Sequence, residues 1–435
     1  MKRLVGAFKT KARGQVGSHG QSGSNGSNMK SLIAALLLSL LLCFPLLQGP
    51  AAASANGYVV SVSAGRFDRS DSVVSFQLPE GSRAAAYHLR GESGEQIPIQ
   101  IDASRRASFI LRDLRAGAIR TYRLEASKAD SVSQVELTRE GDTVKVSLAG
   151  RDVLRYQGGK GELPRPDIKT NYRRGGYLHP VFTPNGRIVT DDYPPNHLHH
   201  HGIWFPWTKT EFEDRHPDFW NMGDGTGTVE FESPGPAWSG AVEAGFESHH
   251  RFVDLSAPTP KVALKETWEV AVYNVGQSDK PYRMFDLTSF QECASSAPLI
   301  LPEYHYGGLG FRGNREWDGK GNAFFLTSEG YDRADGHATR ARWCHIGGLI
   351  GGQLAGIAIL CHPDNFRAPQ PVRIHPTEPF FCYAPSQMGR WGISPGHSYV
   401  SRYRFIVYDG PPDAAQIERL WNDYANPPSV VVTAS

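Results

Sequence analysis

Alternation of apolar and polar residues over residues 261–273 is the sequence feature that most limits the possible folds. In this stretch, KVALKETWEVAVY, every second residue from Val262 to Val272 is apolar except Glu266. Successive side chains of a strand point to opposite faces, so the pattern predicts a strand with one buried face. Shorter runs of this kind recur along the chain, among 46 glycines and 30 prolines. Short strands between glycine- and proline-rich turns predict an all-β fold.

The chain divides by pattern into four parts. Residues 1–28 are predicted to be a disordered extension or an over-called start. Residues 29–55 resemble a signal peptide, because a basic residue, a short apolar run and small residues precede Asn56. Residues 56–130 hold short strands at intervals of about ten residues, which predicts a small immunoglobulin-like β-sandwich. Residues 131–428 are predicted to form the large domain that carries the site.

One helix is predicted, near the C-terminus. Asp413 is placed to begin it, and Gln416 follows three residues later. Apolar residues at helical spacing predict one face that packs on a sheet. They are Ile417, Leu420, Trp421 and Tyr424.

Charge and export limit the partners. A net charge of +2 argues against nucleic-acid binding, which needs a basic face. After the signal, no apolar run approaches the roughly 20 residues of a membrane span, so no stable span is expected once the signal is cleaved. We therefore expect a secreted or periplasmic protein. Its four mature cysteines are compatible with disulfides or with buried thiols; they are Cys293, Cys344, Cys361 and Cys382.

A cluster of histidines is the strongest indication of a functional site. Four of the sixteen histidines fall within residues 197–201, between a Pro-Pro turn and Trp204. Histidine titrates near neutral pH and is the commonest metal ligand. His200 and His201 are the predicted acid and base. Trp204 and Trp207 are predicted to stack on a ligand.

Three carboxylates are candidate catalytic partners of these histidines. Glu266 interrupts an apolar face, and burial raises the pKa of a carboxyl group, as general acids require. The alternative is that Glu266 lies at an exposed point or pairs with an arginine. Asp286 lies within a predicted strand, and Glu303 lies in a polar stretch, residues 302–318.

Further polar residues are predicted to bind the substrate. Arginine suits fixed recognition of a carboxylate. The candidates are His179, His199, His305, Arg312, His362, Asn365 and Arg367. For the candidates in residues 302–318 and in residues 361–369, the alternative is a solvated surface loop.

A divalent metal is the second interpretation of the histidine cluster. In an extended segment, His197, His199 and His201 would share one face. With an acid such as Asp192 they could bind zinc or copper. No cofactor is predicted otherwise.

Three segments together resemble the PmoA-like family of unknown function, which some catalogues label methane oxygenase. They are HPVFTPNGRIVTDDYPPNHLHHHGIWF, PEYHYGGLGFRG and GIAILCHPDNFRAP. The resemblance extends over residues 56–425. It implies a secreted all-β protein whose large domain is similar to the β-supersandwich of sugar mutarotases. The lack of spanning segments argues against a membrane methane oxygenase.

The sequence leaves three functions open. The first is a carbohydrate-active enzyme, a hydrolase, lyase or epimerase, that acts on a sugar or sugar acid with histidine and carboxylate groups. The second is a histidine-based metal-binding protein. The third is a non-catalytic carbohydrate-binding protein. We expect binding alone if neither Glu266 nor Glu303 lies near residues 199–201.

Overall fold

Alternating apolar residues form strands along the whole described chain. The computed structural model describes residues 57–128 and 131–435; the predicted extension and signal peptide lie outside the described residues. The first seven strands are β1 (Tyr58–Ser63), β2 (Arg69–Gln77), β3 (Ala86–Arg90), β4 (Gln96–Pro98), β5 (Gln100–Ile101), β6 (Arg106–Leu114) and β7 (Ile119–Ser127).

The central strands include the longest of the protein. They are β8 (Val135–Glu140), β9 (Thr143–Leu148), β10 (Arg151–Gln157), β11 (Tyr177–Val181), β12 (Ile203–Trp204), β13 (Gly227–Trp238), β14 (Glu243–Asp254), β15 (Lys261–Tyr273) and β16 (Tyr282–Cys293). The run that predicted a strand over residues 261–273 is β15, with the same bounds.

The last part of the chain contains shorter strands and the helix. The strands are β17 (Leu299–Leu301), β18 (Gly310–Arg312), β19 (Ala323–Thr327), β20 (Trp343–Ile350), β21 (Gln353–Cys361), β22 (Val372–Ile374), β23 (Phe380–Tyr383), β24 (Trp391–Ile393), β25 (Tyr399–Asp409) and β26 (Ser429–Ala434). Helix α1 is Ala414–Ala425, and four 3-10 turns are Thr170–Tyr172, Met222–Asp224, Arg315–Trp317 and Pro385–Met388.

Two eight-stranded antiparallel sheets form the large core. One has the order β13-β14-β15-β16-β25-β21-β20-β19, and the other has the order β22-β23-β18-β12-β11-β10-β9-β8. Buried residues of both sheets share one apolar cluster, including Trp268 and Phe285 of the first sheet and Leu154 and Leu178 of the second. The large part of the chain is therefore a sandwich of two sheets.

A smaller sandwich precedes it. Its sheets have the orders β26-β1-β7-β3-β4 and β2-β6-β5. Pro98, which lacks an N–H group, lies in the edge strand β4, as its chemistry requires. The C-terminal strand β26 pairs with β1, so chain outside the predicted segment 56–130 completes this sheet. The predicted boundary near residue 130 stays a prediction.

The all-β prediction and the single C-terminal helix are confirmed. The Asp413 side chain accepts a hydrogen bond from the backbone N–H of Gln416 at 3.1 Å and caps α1. Within the described residues, none of the helices has both the length and the apolar character needed to cross a membrane. Cys293, Cys344, Cys361 and Cys382 are free thiols.

Candidate functional site

The histidine segment is a folded loop and not an extended strand. Two consecutive turns shape it, because the N–H of His197 donates to Pro194 O and the N–H of His200 donates to His197 O. The expected strand over residues 202–207 is shorter, since β12 is Ile203–Trp204. The turns remove the period-two alternation on which a shared face of His197, His199 and His201 depended.

Five histidines line one open cavity of about 260 Å³, here called the histidine cavity. His197, His199 and His200 come from the folded loop, while His305 and His375 come from distant parts of the chain. The rest of the lining is aromatic, amide and cationic: Trp220, Asn221, Tyr306, Arg373 and Phe380. Strands β18 and β23 bring these segments together, because each pairs with the other in the sheet that also holds β12.

His200 is fixed by ring stacking. Its ring centroid lies 4.7 Å from that of His197, with an interplanar angle of 12°. Phe380 stacks on it at 4.8 Å and 30°, and Trp204 lies 5.1 Å away. The Nδ1 atoms of His197 and His200 are buried and have no hydrogen-bond partner among the described residues. Polar atoms with unused hydrogen-bonding capacity are therefore held in fixed positions beside the cavity.

Burial keeps the cavity histidines uncharged at neutral pH. Desolvation lowers the pKa of His199 to about 3 and that of His375 to about 4. It also lowers the pKa values of His197, His200 and His305. A neutral imidazole carries one N–H donor and one acceptor nitrogen, so the lining offers both roles at each ring.

Arg373 is the cation of the histidine cavity. It is half-buried, and its Nη1 donates to its neighbour's carbonyl, Ile374 O, at 3.2 Å. Desolvation lowers its pKa, yet an arginine stays protonated at neutral pH. No carboxylate belongs to the described lining. The nearby Glu378 carboxylate instead accepts from Nη1 of Arg312 at 3.2 Å.

His201 lies apart from this cavity. Its Nδ1 is 2.7 Å from Asp192 Oδ1, and Tyr177 donates to the other carboxylate oxygen at 2.9 Å. The ring packs against Tyr177 and Tyr193. Burial lowers its pKa, although Asp192 opposes the shift. Within the described chain, no three His, Cys, Asp or Glu side chains are arranged to hold a metal ion.

Glu266 belongs to the core and does not contact residues 197–201. Its Oε2 is 2.9 Å from Nδ1 of His250, its direct cross-strand neighbour on β14. Its Oε1 accepts from Ser289 at 2.6 Å and from Gln291 at 2.8 Å. Glu266 is 2% exposed, which excludes an exposed position. Its charge also acts on the buried Arg174, where it opposes the lowering of the arginine pKa by desolvation.

The other two candidate carboxylates do not line the histidine cavity. Asp286 forms two hydrogen bonds with Arg404, at 2.8 and 2.9 Å, and accepts from Tyr273. Arg404 in turn lies over the ring of Tyr424 from α1. Asp286 therefore lies on the face of the sheet that packs against the helix. Glu303 is exposed.

The two predicted tryptophan platforms are buried. Trp204 and Trp207 are both 0% exposed. Trp207 donates from Nε1 to Gln291 at 2.7 Å, and the ring of Trp204 packs against the ring of His200. The aromatic faces that reach the histidine cavity belong to Trp220, Tyr306 and Phe380.

Of the predicted binding residues, His199 and His305 line the cavity and His179 and Arg312 support the loop. His179 Nδ1 is 2.9 Å from Oγ1 of Thr190. Arg312 is buried and binds Asp318, Glu378 and Asn196, the last of which belongs to the histidine loop.

The third motif forms a turn instead of a site. The Asn365 side chain binds both backbone polar groups of Arg402, at 2.7 and 2.8 Å. Arg367 donates to the carbonyls of Pro385 and Gly389. His362 packs on Tyr424 of α1. These three side chains stabilise the packing of turns and helix, and they do not line the histidine cavity.

Sequence reasoning missed Arg373 and His375. They flank Ile374, the buried last residue of β22, so the period-two alternation Arg-Ile-His points both toward the opposite face. That alternation could be read from the sequence. The proximity of Arg373 and His375 to residues 197–200 could not.

Comparison with known proteins adds little beyond family membership. No curated protein matches the chain. A solved structure titled as a protein in the glycosyl hydrolase family 38 from Enterococcus faecalis is 8% identical, with a TM-score of 0.41. The match covers 87% of this chain and 47% of the other, so the chain spans about half of that protein's length. Residues 143–422 match the model of a family of unknown function, DUF6807. The chain belongs to this family.

Proposed function

We propose that the histidine cavity binds a sugar acid and that the protein is carbohydrate-active. The observation that carries this proposal is the convergence of five neutral histidines, one arginine and three aromatic rings on one cavity of about 260 Å³. Each neutral imidazole can donate one hydrogen bond and accept one, which matches the hydroxyl groups of a sugar. Tyr306 is partly exposed and offers an apolar face on which a sugar ring can stack, whereas Trp220 and Phe380 are 1% and 4% exposed and support the cavity from within the core.

Arg373 is the reason for proposing an acidic ligand. The described lining carries one permanent positive charge and no carboxylate. A guanidinium group binds a carboxylate with two parallel hydrogen bonds. A uronic acid therefore complements the cavity better than a neutral hexose of the same size.

The same chemistry favours elimination or epimerisation over hydrolysis. Most glycoside hydrolases use two carboxylates that flank the scissile bond, and Glu266 and Glu303 do not reach the cavity. Removal of a proton next to a carboxylate needs a base and a cation that stabilises the developing charge. Neutral histidines, among them His200, supply the base, and Arg373 supplies the cation.

Non-catalytic sugar binding is the second candidate. One observation favours it and meets the condition under which binding alone is expected: neither Glu266 nor Glu303 lines the histidine cavity, and Glu266 is held by His250, Ser289 and Gln291. Recognition by hydroxyl, aromatic and arginine contacts needs no acid–base pair.

Binding is tested by calorimetry and thermal shift on a chain that begins at Asn56. Uronic acids, the matching neutral hexoses and divalent metals are the ligands. We expect uronic acids to bind and to raise the melting temperature, and Arg373→Gln to abolish the preference for the acid. Arg112→Gln, on the small sandwich and half-exposed, is the matched control. Equal binding of acid and hexose would contradict the role of Arg373. A shift with metals alone would favour the metal-binding interpretation.

Catalysis is tested by proton exchange. A uronic acid or uronide incubated in deuterated water is expected to exchange the proton next to its carboxylate, measured by NMR. His199→Gln and His200→Gln are expected to slow the exchange. Tight binding with no exchange and no product would favour the non-catalytic candidate.

Export and the narrower family assignment are also proposals. We propose that residues 29–55 direct the chain out of the cytoplasm, to a secreted or periplasmic location; N-terminal sequencing of the natural protein tests whether it begins at Asn56. The resemblance to PmoA-like proteins is a proposal too, and it rests on the three sequence segments.

A further inference from the structure

A second cavity adjoins the histidine cavity. It has a volume of about 600 Å³, and three threonines, Thr208, Thr210 and Thr226, contribute to its lining; we call it the threonine cavity. Asn221 lines both cavities. Tyr304 lines the threonine cavity, and Tyr306, two residues later, lines the histidine cavity. The two ring centroids are 5.0 Å apart, so the cavities meet at one shared wall.

We propose that the threonine cavity is a second sugar subsite. The ligand would then be an oligosaccharide, with its acidic unit in the histidine cavity and a neutral unit in the threonine cavity. This inference rests on the proposed function of the histidine cavity, and it extends the ligand from a single sugar to a linked pair.

The shared wall is held in place by hydrogen bonds. The Asn221 side-chain amide donates to Tyr306 Oη at 2.9 Å and to Asp218 Oδ2 at 2.7 Å. The other oxygen of Asp218 accepts the backbone N–H groups of Trp220 and Asn221, both at 2.8 Å. A wall fixed in this way keeps both cavities formed before a ligand arrives, which lowers the entropy cost of binding.

The threonine cavity lacks the acid-binding character of its neighbour. Hydroxyl and amide groups dominate its lining, and the Asp218 carboxylate is already saturated by four hydrogen bonds. The lining holds one lysine, Lys209, and two carboxylates, Asp218 and Asp224, so its carboxylates outnumber its permanent cations. Tyr304 is partly exposed and supplies the aromatic surface of the subsite. Lys209 Nζ lies 5.7 Å from the centroid of its ring. These groups suit a neutral, hydroxyl-rich unit.

Calorimetry with two ligands tests the second subsite. The ligands are glucuronic acid and a disaccharide in which glucuronic acid is linked to a neutral hexose. We expect the disaccharide to bind about tenfold more tightly, the gain that one aromatic stacking contact can supply. Tyr304→Ala, which removes the stacking ring, and Lys209→Ala, which removes a donor to sugar hydroxyl groups, are expected to reduce this advantage to about threefold or less. Lys209→Ala should leave the affinity for glucuronic acid unchanged, because Lys209 does not line the histidine cavity. Tyr331→Ala, an exposed tyrosine elsewhere, is the control.

The outcomes separate the two proposals. Equal affinities of the wild-type protein for the two ligands would overturn the second subsite and leave the histidine cavity intact. A disaccharide advantage that survives in both variants would also overturn it. No binding of either ligand would overturn the proposed function and this inference with it.

Discussion

Each imidazole of the histidine cavity is neutral in the folded protein because burial disfavours its charged form. In the unfolded chain, the same groups have ordinary pKa values near 6.5. The unfolded chain therefore binds more protons than the folded one as the pH falls below about 6.5, and stability decreases there. For His375 the loss continues until the pH approaches its folded pKa of about 4.

The first prediction is that His199→Gln combined with His375→Gln makes stability less sensitive to acid. The free energy of unfolding should fall less steeply between pH 6.5 and about 4 than in the wild-type protein, as measured by urea denaturation at a series of pH values. His397→Gln, an exposed histidine, is the control. An unchanged slope in the double variant would show that these two groups do not cause the pH dependence.

The second prediction concerns Glu266, whose role we infer to be structural. Glu266→Ala removes the partner of His250, Ser289 and Gln291 at once, so we expect a loss of about 3–5 kcal/mol in the free energy of unfolding. Glu303→Ala, at an exposed position, should cost about 0.5 kcal/mol or less. A Glu266→Ala variant of normal stability that fails to bind or convert the ligand would contradict this assignment.

Glu266 also shows how far single residues can be interpreted from sequence. Its position on an apolar face was readable. Its partner was not, because His250 lies on the neighbouring strand and only the register of β14 and β15 brings the two together. His250 is also buried, at 0% exposed. Cross-strand pairing decides both outcomes.

At the scale of elements, helix α1 joins the two sandwiches. Asp423 of α1 is 6% exposed and binds Arg69 and Ser72 of β2, both at 2.9 Å. Arg69 is itself 4% exposed. A buried ion pair is costly to break on one side because the remaining charge stays desolvated.

The third prediction is that Asp423→Ala lowers the free energy of unfolding by about 3–5 kcal/mol. Replacing both partners, Arg69→Met with Asp423→Leu, should recover much of the loss, because no buried charge then remains unpaired. Chemical denaturation measures each variant, and Asp113→Ala, with an exposed side chain, is the control. Equal losses of stability in the single and double variants would show that an unpaired buried charge is not the cause of the loss.

Local patterns predicted elements better than they predicted the loop between them. The helix was readable because its cap and its apolar face lie within one short segment. The Pro-Pro turn before the histidines was readable. The second turn, in which the N–H of His200 donates to His197 O, was not, and it removes the extended geometry that the metal-binding interpretation required. The cavity combines residues 197–200, 220–221, 305–306 and 373–380, and no sequence period relates segments so far apart.

At the scale of the whole molecule, the two sandwiches are formed without a disulfide among the described residues. Cys344, Cys361 and Cys382 are buried, and burial raises the pKa of Cys361 to about 11 and that of Cys382 to about 12. Buried thiols of this kind react slowly because the thiolate is the reactive form.

The fourth prediction is that a chain from Asn56 onward gives at most one thiol that reacts quickly in the native state, at the half-buried Cys293. All four should react after unfolding without a reducing agent. A thiol assay in native and denaturing buffers measures both values, and a reducing agent should not change the melting temperature. Fewer than four thiols in the unfolded chain would indicate a disulfide.

The pairing of β26 with β1 means that the sheet that begins with the first described strand can be completed only after the last strand has been made. The small sandwich contains the first described strands, yet the sheet that begins with β1 lacks one edge until the last strand has been made. Ribosomal synthesis of the intervening chain takes on the order of tens of seconds. During that interval one edge of β1 has no partner strand while the rest of the chain is being made. We therefore expect the part of the protein that is made first to be the part that finishes folding last.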